Sequence, residues 1–246
     1  MAIYTLLLGI GSKNRVKFLY YLLLSTVNVF IMNTTKMLYK HDRPMWVNPD
    51  VSSSAITKCS SNYGNPSGHS MTASALAFTV LCDVLESVSN YQSRRKQTCL
   101  IVIYTVLAFV YSMLMAFSRV VIAIHSWNQI IYGWLLGVWI ALFLHIFLKE
   151  RLGTFVKSEM EGKTKTKGVE HIAWGIIGLV MTILLQLLAW RLAETYSIKT
   201  EEEIEERLAN IREICPDFDK PIGNLKSFKD IGLAVVFWGG LLGVIC

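Results

Sequence analysis

Six apolar runs, at residues 16–35, 70–90, 98–117, 126–148, 171–190 and 231–246, constrain this chain more than any other feature. Each approaches the ~20 residues that a helix needs to cross ~30 Å of hydrocarbon. In hydrocarbon a backbone must satisfy its own hydrogen bonds, and a helix does so within one segment. The fold class that follows is all-α: a polytopic membrane bundle of about six transmembrane helices. The composition agrees, with 53% hydrophobic residues and a mean hydropathy of +0.42. Residues 1–246 read as a single membrane-embedded domain, with its core at 16–148 and an extramembrane loop at 191–230. Met1 to Ser12 is apolar but too short to span and does not read as a signal peptide. The final run rises only ~24 Å as a helix, so it either tilts into a partner or continues past this end.

The net charge of +6 would suggest nucleic acid for a soluble chain, but here the basic residues sit between spans. A membrane surface accounts for them, and no nucleic-acid partner is expected. If the spans alternate in direction, connections 36–69, 118–125 and 191–230 share one face, and 12–17, 91–97 and 149–170 share the other. The second face holds Lys13, Arg15, Lys17, Arg94, Arg95, Lys96, Lys163, Lys165 and Lys167 in short loops. By the positive-inside rule the first face is then lumenal or extracytoplasmic. Cys82, Cys99 and Cys246 lie in or beside apolar runs and read as small packed hydrophobes. Cys59 and Cys215 fall in loops on the first face, where a disulfide between them depends on an oxidising compartment.

Three polar clusters break the apolar pattern, all on that first face: Lys36 with Arg43-Pro44, then Pro66-Ser67-Gly68-His69, then Ser118-Arg119 with His125. Charge is costly at the edge of a membrane span, so cations gathered there imply an anionic ligand. Phosphate suits them best. Arg43 and Arg119 offer forked donors, and Lys36 adds a point charge. Ser67 and Gly68 precede an apolar run, where backbone N–H groups at a helix N-terminus attract anions. Histidine titrates near neutrality, so His69 and His125 add chemistry to binding: one imidazole to attack phosphorus, the other to protonate the departing alkoxide.

In order and internal spacing the clusters resemble the three-part signature of the type 2 phosphatidate phosphatase superfamily, which includes lipid phosphate phosphatases, glucose-6-phosphatases and vanadium haloperoxidases. The resemblance implies a PAP2-like helical fold and a metal-independent phosphatase with no cofactor. In it His125 becomes phosphohistidine and His69 assists the leaving group. Lys36, Arg43, Ser67, Gly68 and Arg119 hold the phosphoryl oxygens. Where the family has Asp, this chain has Gln129, four residues after His125, so on a helix the two share a face. A glutamine carbonyl can still accept the imidazole N–H, but more weakly than a carboxylate. Glucose-6-phosphatases also resemble this chain in that glutamine, and in a cysteine shortly before Pro-Ser-Gly-His, as Cys59 is here. The expected substrate is a lipid phosphate or a sugar phosphate, in the endoplasmic reticulum or another endomembrane, with the site facing the lumen. The rival reading is a catalytically weak or inactive relative that binds without turnover.

Other features carry less. Ile204, Leu208, Ile211 and Ile214 have helical spacing, and Thr200 with Glu203 fits a capping box, so 199–215 reads as a short amphipathic helix on the membrane or over the site mouth. Gly133 and Gly137 suit close helix packing within the fold. Trp127 and Tyr132 read as interfacial anchors or pocket walls. The Asn33 sequon sits at a helix end and is expected to be unmodified, and His41, His145 and His171 receive no role.

Overall fold

The computed structural model describes residues 14–51, 59–89, 91, 93–160, 168–196, 199–232 and 237–241, and all regular structure among them is helical. The helices are α1 (Arg15–Tyr39), α2 (Pro44–Val47), α3 (Gly68–Val88), α4 (Arg94–Val121), α5 (Trp127–Phe147), α6 (Lys149–Met160), α7 (Gly168–Thr195), α8 (Glu201–Ile214) and α9 (Leu225–Ile231). Among the described residues five of them, α1, α3, α4, α5 and α7, are long and apolar enough to cross a membrane. The expected sixth span, 231–246, falls largely on residues outside those described, as do Met1 to Ser12, the Lys163 to Lys167 series and Cys246.

The centre of the bundle is the contact between α3 and α5, and small residues make it possible. A methyl added to Gly133 would stand 2.7 Å from the Ser67 carbonyl oxygen, and one on Gly137 only 2.0 Å from that of Met71. Ser74 fastens the same seam, donating from its hydroxyl to the Trp134 carbonyl oxygen at 2.9 Å. Close backbone approach is how membrane helices gain van der Waals contact when lipid competes for every apolar side chain. Tyr20, Tyr21 and Leu24 of α1 complete this core with Met71, Ala75, Ile140 and Leu144. On α4 and α7 large apolar side chains such as Leu114 and Leu184 remain exposed, as suits helices long and apolar enough to cross a membrane.

At the end remote from the polar clusters, Asp83 accepts from Tyr21 (2.9 Å) and Lys149 (2.7 Å), joining α1, α3 and the start of α6. Two local expectations are corrected here. Residues 149–160 are helical rather than loop, because Val156 is buried in the bundle and Gly153 abuts Val16 of α1. Cys99 is exposed on α4, whereas Cys82 is buried as expected.

Candidate active site

α1 runs past its expected end to Tyr39, so Lys36 lies in its last turn, facing inward and 3% exposed. Lys40 then turns the chain with φ 48°, and Arg43 caps α2 with its side chain equally buried. Both cations converge on the segment before α3. Lys36 Nζ donates to the Tyr63 carbonyl oxygen at 2.9 Å. Arg43 donates through Nε to the Asn62 carbonyl (2.8 Å) and through Nη2 to the Asn62 side-chain oxygen (2.8 Å) and the Tyr63 carbonyl (3.4 Å). Among the described residues neither meets a carboxylate, although an uncompensated buried charge costs several kcal/mol. Such an arrangement suits an anionic ligand.

His125 stands against the same cations. It sits on the turn from α4 to α5, where Ala123 adopts φ 53°, a left-handed conformation unusual for alanine. Its Nδ1 is 3.1 Å from Gln129 Oε1, and its Nε2 is 3.3 Å from Arg43 Nη1. The Gln129 oxygen also accepts the Ser126 N–H at 3.3 Å, while Gln129 Nε2 donates to the Asp42 carbonyl at 2.7 Å. That pattern fixes which way the amide points, and so places the ring proton on Nδ1 and a lone pair on Nε2. Burial, and then the Arg43 and Lys36 charges, hold the imidazole well below its ordinary pKa, against the opposing pull of the Gln129 hydrogen bond. The neutral form therefore dominates at neutral pH.

The second cluster reaches the site through α5. Ser67 is the N-cap of α3, and its N–H donates to the Gln129 carbonyl oxygen at 2.9 Å, so that amide is committed to the scaffold rather than open to a ligand. The Ser67 N–H thus departs from its expected direction; the buried Ser67 hydroxyl accepts from Ser70 at 3.1 Å. Gly68 opens the helix, where first-turn N–H groups have no intrahelical acceptor. It is small for a further reason: a methyl there would stand 2.4 Å from the Met32 sulfur of α1.

His69 is exposed, and the charges acting on it include those of Arg119, Lys36 and Arg43. Arg119, in the last turn of α4, donates from Nε to the Ser118 hydroxyl (3.1 Å) and has no other partner among the described residues. All three clusters thus meet at one end of the bundle, with one histidine buried and one open.

Sequence reasoning missed the segment that holds the cations. Asn62 and Tyr63 contribute carbonyls, which no residue type advertises, and Gly64 provides room for the Gln129 amide. It also missed the reach of the distal loop. The helix expected at 199–215 is present as α8, with the Thr200–Glu203 capping box, and it packs Ile211 beside Met45, Trp46 and Tyr63. Cys215 at its end is disulfide-bonded to Cys59, and Asn210 donates to the Trp46 carbonyl at 2.9 Å. Asn33 is wholly buried, Trp127 is exposed beside Phe117, and Tyr132 packs edge-on against Tyr39.

A family model described as the PAP2 superfamily matches residues 17–152, more than half of the chain, and takes in all three clusters. Comparison with curated proteins and with solved structures returned no match. With buried cations, a neutral histidine and an open one assembled on membrane-spanning helices, and with a match of that length over them, the chain belongs to the PAP2 superfamily, whose members are generally phosphatases.

Proposed function

We propose that this protein is a membrane phosphatase that hydrolyses a phosphomonoester through a phosphohistidine intermediate. The observation that carries the reading is the pair of buried cations, Lys36 and Arg43, unmatched by any carboxylate among the described residues and set beside the neutral His125. A phosphoryl group brought to Lys36, Arg43 and Arg119 takes over the Arg43 hydrogen bond and releases the Nε2 lone pair. That lone pair forms the N–P bond as the ester P–O bond breaks. Once the bound phosphoryl anion offsets the charges of Arg119, Lys36 and Arg43, His69 takes up a proton and gives it to the departing oxygen. Water then attacks phosphorus, His69 takes a proton from it, and the P–N bond breaks to return neutral His125. Gln129 Oε1 accepts the Nδ1–H throughout and steadies the positive charge on the phosphorylated ring. The cations and the Gly68 amide hold the equatorial oxygens, the preorganised electrostatics that dominate such catalysis.

The Cys59–Cys215 bond lies on the site's face and calls for an oxidising compartment, which supports a site facing the lumen of the endoplasmic reticulum or another endomembrane. Two observations bear on the leaving group. Gln129, with Cys59 ahead of Pro66, supports a glucose-6-phosphatase-like branch and a sugar phosphate. A groove of about 620 Å³ between α4 and α5, lined by Phe117, Trp127, Ile131 and Trp134, offers apolar room and supports a lipid phosphate.

The full chain, purified in detergent, is expected to release p-nitrophenol from its phosphate ester in a vanadate-sensitive way that His125→Ala abolishes. A panel of phosphatidate, sphingoid phosphate, polyprenyl phosphate and glucose 6-phosphate then separates the two branches. Vanadate binding without release would overturn the phosphatase reading in favour of an inactive relative.

A further inference from the structure

The two nitrogens of the His125 ring are governed by consecutive residues of one short segment. Asp42 holds the Gln129 amide through its carbonyl oxygen, and Gln129 holds Nδ1; Arg43 meets Nε2 directly. Any shift of the 42–43 peptide therefore disturbs both sides of the ring together. Yet residues 40–43 lie between α1 and α2, with no helix of their own to hold them. The backbone is tied next door, where the Gly64 N–H donates to the His41 carbonyl at 2.8 Å, and the Asp42 side chain adds anchors that come from far along the chain. Its Oδ1 is paired with Lys199 Nζ, and its Oδ2 lies 3.3 Å from Arg207 Nε on α8. Lys199 also lies over the Tyr63 ring, 5.4 Å from its centroid, next to the carbonyl that receives Lys36 and Arg43.

α8 is in turn fixed to the same region at two further places: by Asn210 to the Trp46 carbonyl, and by the Cys215 disulfide to Cys59. It spans two segments: 42–46, which carries Arg43, and 59–63, whose carbonyls receive Lys36 and Arg43. All of α8 lies beyond residue 152, outside the part of the chain that the family model matches.

We propose that Asp42, clamped by Lys199 and Arg207, is the positioning residue for His125, so that the α8 strap completes the active site without touching substrate. This rests on the phosphatase reading for its kinetic test, but not for its structural one. An element that only positions the nucleophile affects the chemical step and leaves ground-state binding alone, because misplacement by about 1 Å can cost on the order of 10²-fold in rate.

In the full chain in detergent, Asp42→Asn and the double change Lys199→Met/Arg207→Met are each expected to lower kcat for p-nitrophenyl phosphate by about 10- to 100-fold. KM and vanadate affinity should stay within about twofold. Combining all three changes should cost no more than either alone, because they break one clamp. Lys199→Arg/Arg207→Lys, which keeps both charges, should restore most of the rate. A KM that rises while kcat holds would mean that Lys199 and Arg207 bind substrate, and would overturn the proposal. So would additive losses, or an Asp42→Asn protein with full kcat.

A second measurement needs no turnover and stands even if a variant is poorly active. In protein carrying ¹⁵N-labelled histidine, the Nδ1–H signal of His125, assigned by its loss in His125→Ala, should be protected in the wild type and lost in both clamp variants while the fold persists. Retention of that signal in the clamp variants would overturn the proposal. Absence of turnover in the wild type would overturn only the phosphatase reading.

Discussion

The amide of Gln129 lies against the bare Cα of Gly64: a methyl built there would stand 2.5 Å from Oε1, 2.7 Å from Nε2 and 2.8 Å from Cδ. Glycine is present here for space, since the positive-φ glycine among the described residues is Gly223. Gly64→Ala should therefore act on the site rather than on the backbone. The displaced amide would lose its contacts with His125 and Asp42 together. We expect kcat to fall by about 10²-fold, as for Gln129→Ala, with KM little changed. Steady-state kinetics on both variants, with melting curves to show that they fold, makes the check; a Gly64→Ala rate within twofold of wild type would remove Gln129 from the mechanism.

The depressed pKa of His125 has a signed consequence for the pH profile. A base held below its ordinary value, ~6.5, stays unprotonated as pH falls through that value, so kcat/KM should not lose the nucleophile between about pH 7.5 and 6.5. Placing a carboxylate beside Nδ1 favours the imidazolium and should raise the pKa. Gln129→Glu is therefore expected to move the acid limb of kcat/KM to higher pH by about one unit or more, and to lower the plateau because the Asp42 carbonyl loses its donor. Substrate ionisation is common to both profiles and cancels in the difference. Superimposable acid limbs would show that His125 is not the group that titrates.

Much of this arrangement is written in the sequence because membrane spans and phosphate cradles leave dense local signals. Lys36, Arg43, His69, Arg119 and His125 are brought to one end of the bundle from the ends of successive apolar runs, as alternating spans require. The capping box at Thr200 marked α8 to within a residue or two, because its signal is contained in four consecutive positions. Ser67 read less well: its N–H belongs to Gln129, an acceptor that becomes visible only when Gly133 lets α5 approach. Asp42 was silent, because its role depends on Lys199 and Arg207, more than 150 residues away. α6 was missed because its mixed charge resembles a loop until Val156 finds the bundle.

Lys36 offers a test in which stability and function part company. A buried cation without a carboxylate costs the empty protein several kcal/mol, and an apolar residue of similar length avoids that cost. Lys36→Met should accordingly raise the melting temperature of the ligand-free protein. It should also weaken orthovanadate by about 10- to 100-fold, the worth of one charge-assisted contact at ~1.5–3 kcal/mol. The wild type should gain thermal stability on adding orthovanadate, by linkage, and the variant should gain little. A variant that melts lower than wild type, yet keeps its full vanadate shift, would show that Lys36 serves the fold and not the ligand.

Gly137 and Gly153 are both helical, and substitution should move stability in opposite directions. On α5, a methyl at Gly137 would lie 2.0 Å from the Met71 carbonyl oxygen and 2.1 Å from the Ser74 hydroxyl. The first obstacle is backbone and cannot swing away. α3 and α5 must separate, which strains the Ser74–Trp134 bond and, further along the same seam, the Ser67–Gln129 bond that sets the position of α3 against the catalytic turn. Gly137→Ala should cost about 1–3 kcal/mol by overpacking and reduce kcat as well. On α6, a methyl at Gly153 meets only Val16 Cγ1, at an ordinary 3.6 Å. There the alanine restricts the unfolded chain and adds a normal contact, so Gly153→Ala should stabilise by about 0.5–1 kcal/mol and leave kcat unchanged. Thermal unfolding in detergent, followed by tryptophan fluorescence, compares the two directly. Equal and small effects at both positions would mean that α3 and α5 are not in backbone contact at Gly137, and that the close seam supporting Gln129 is absent.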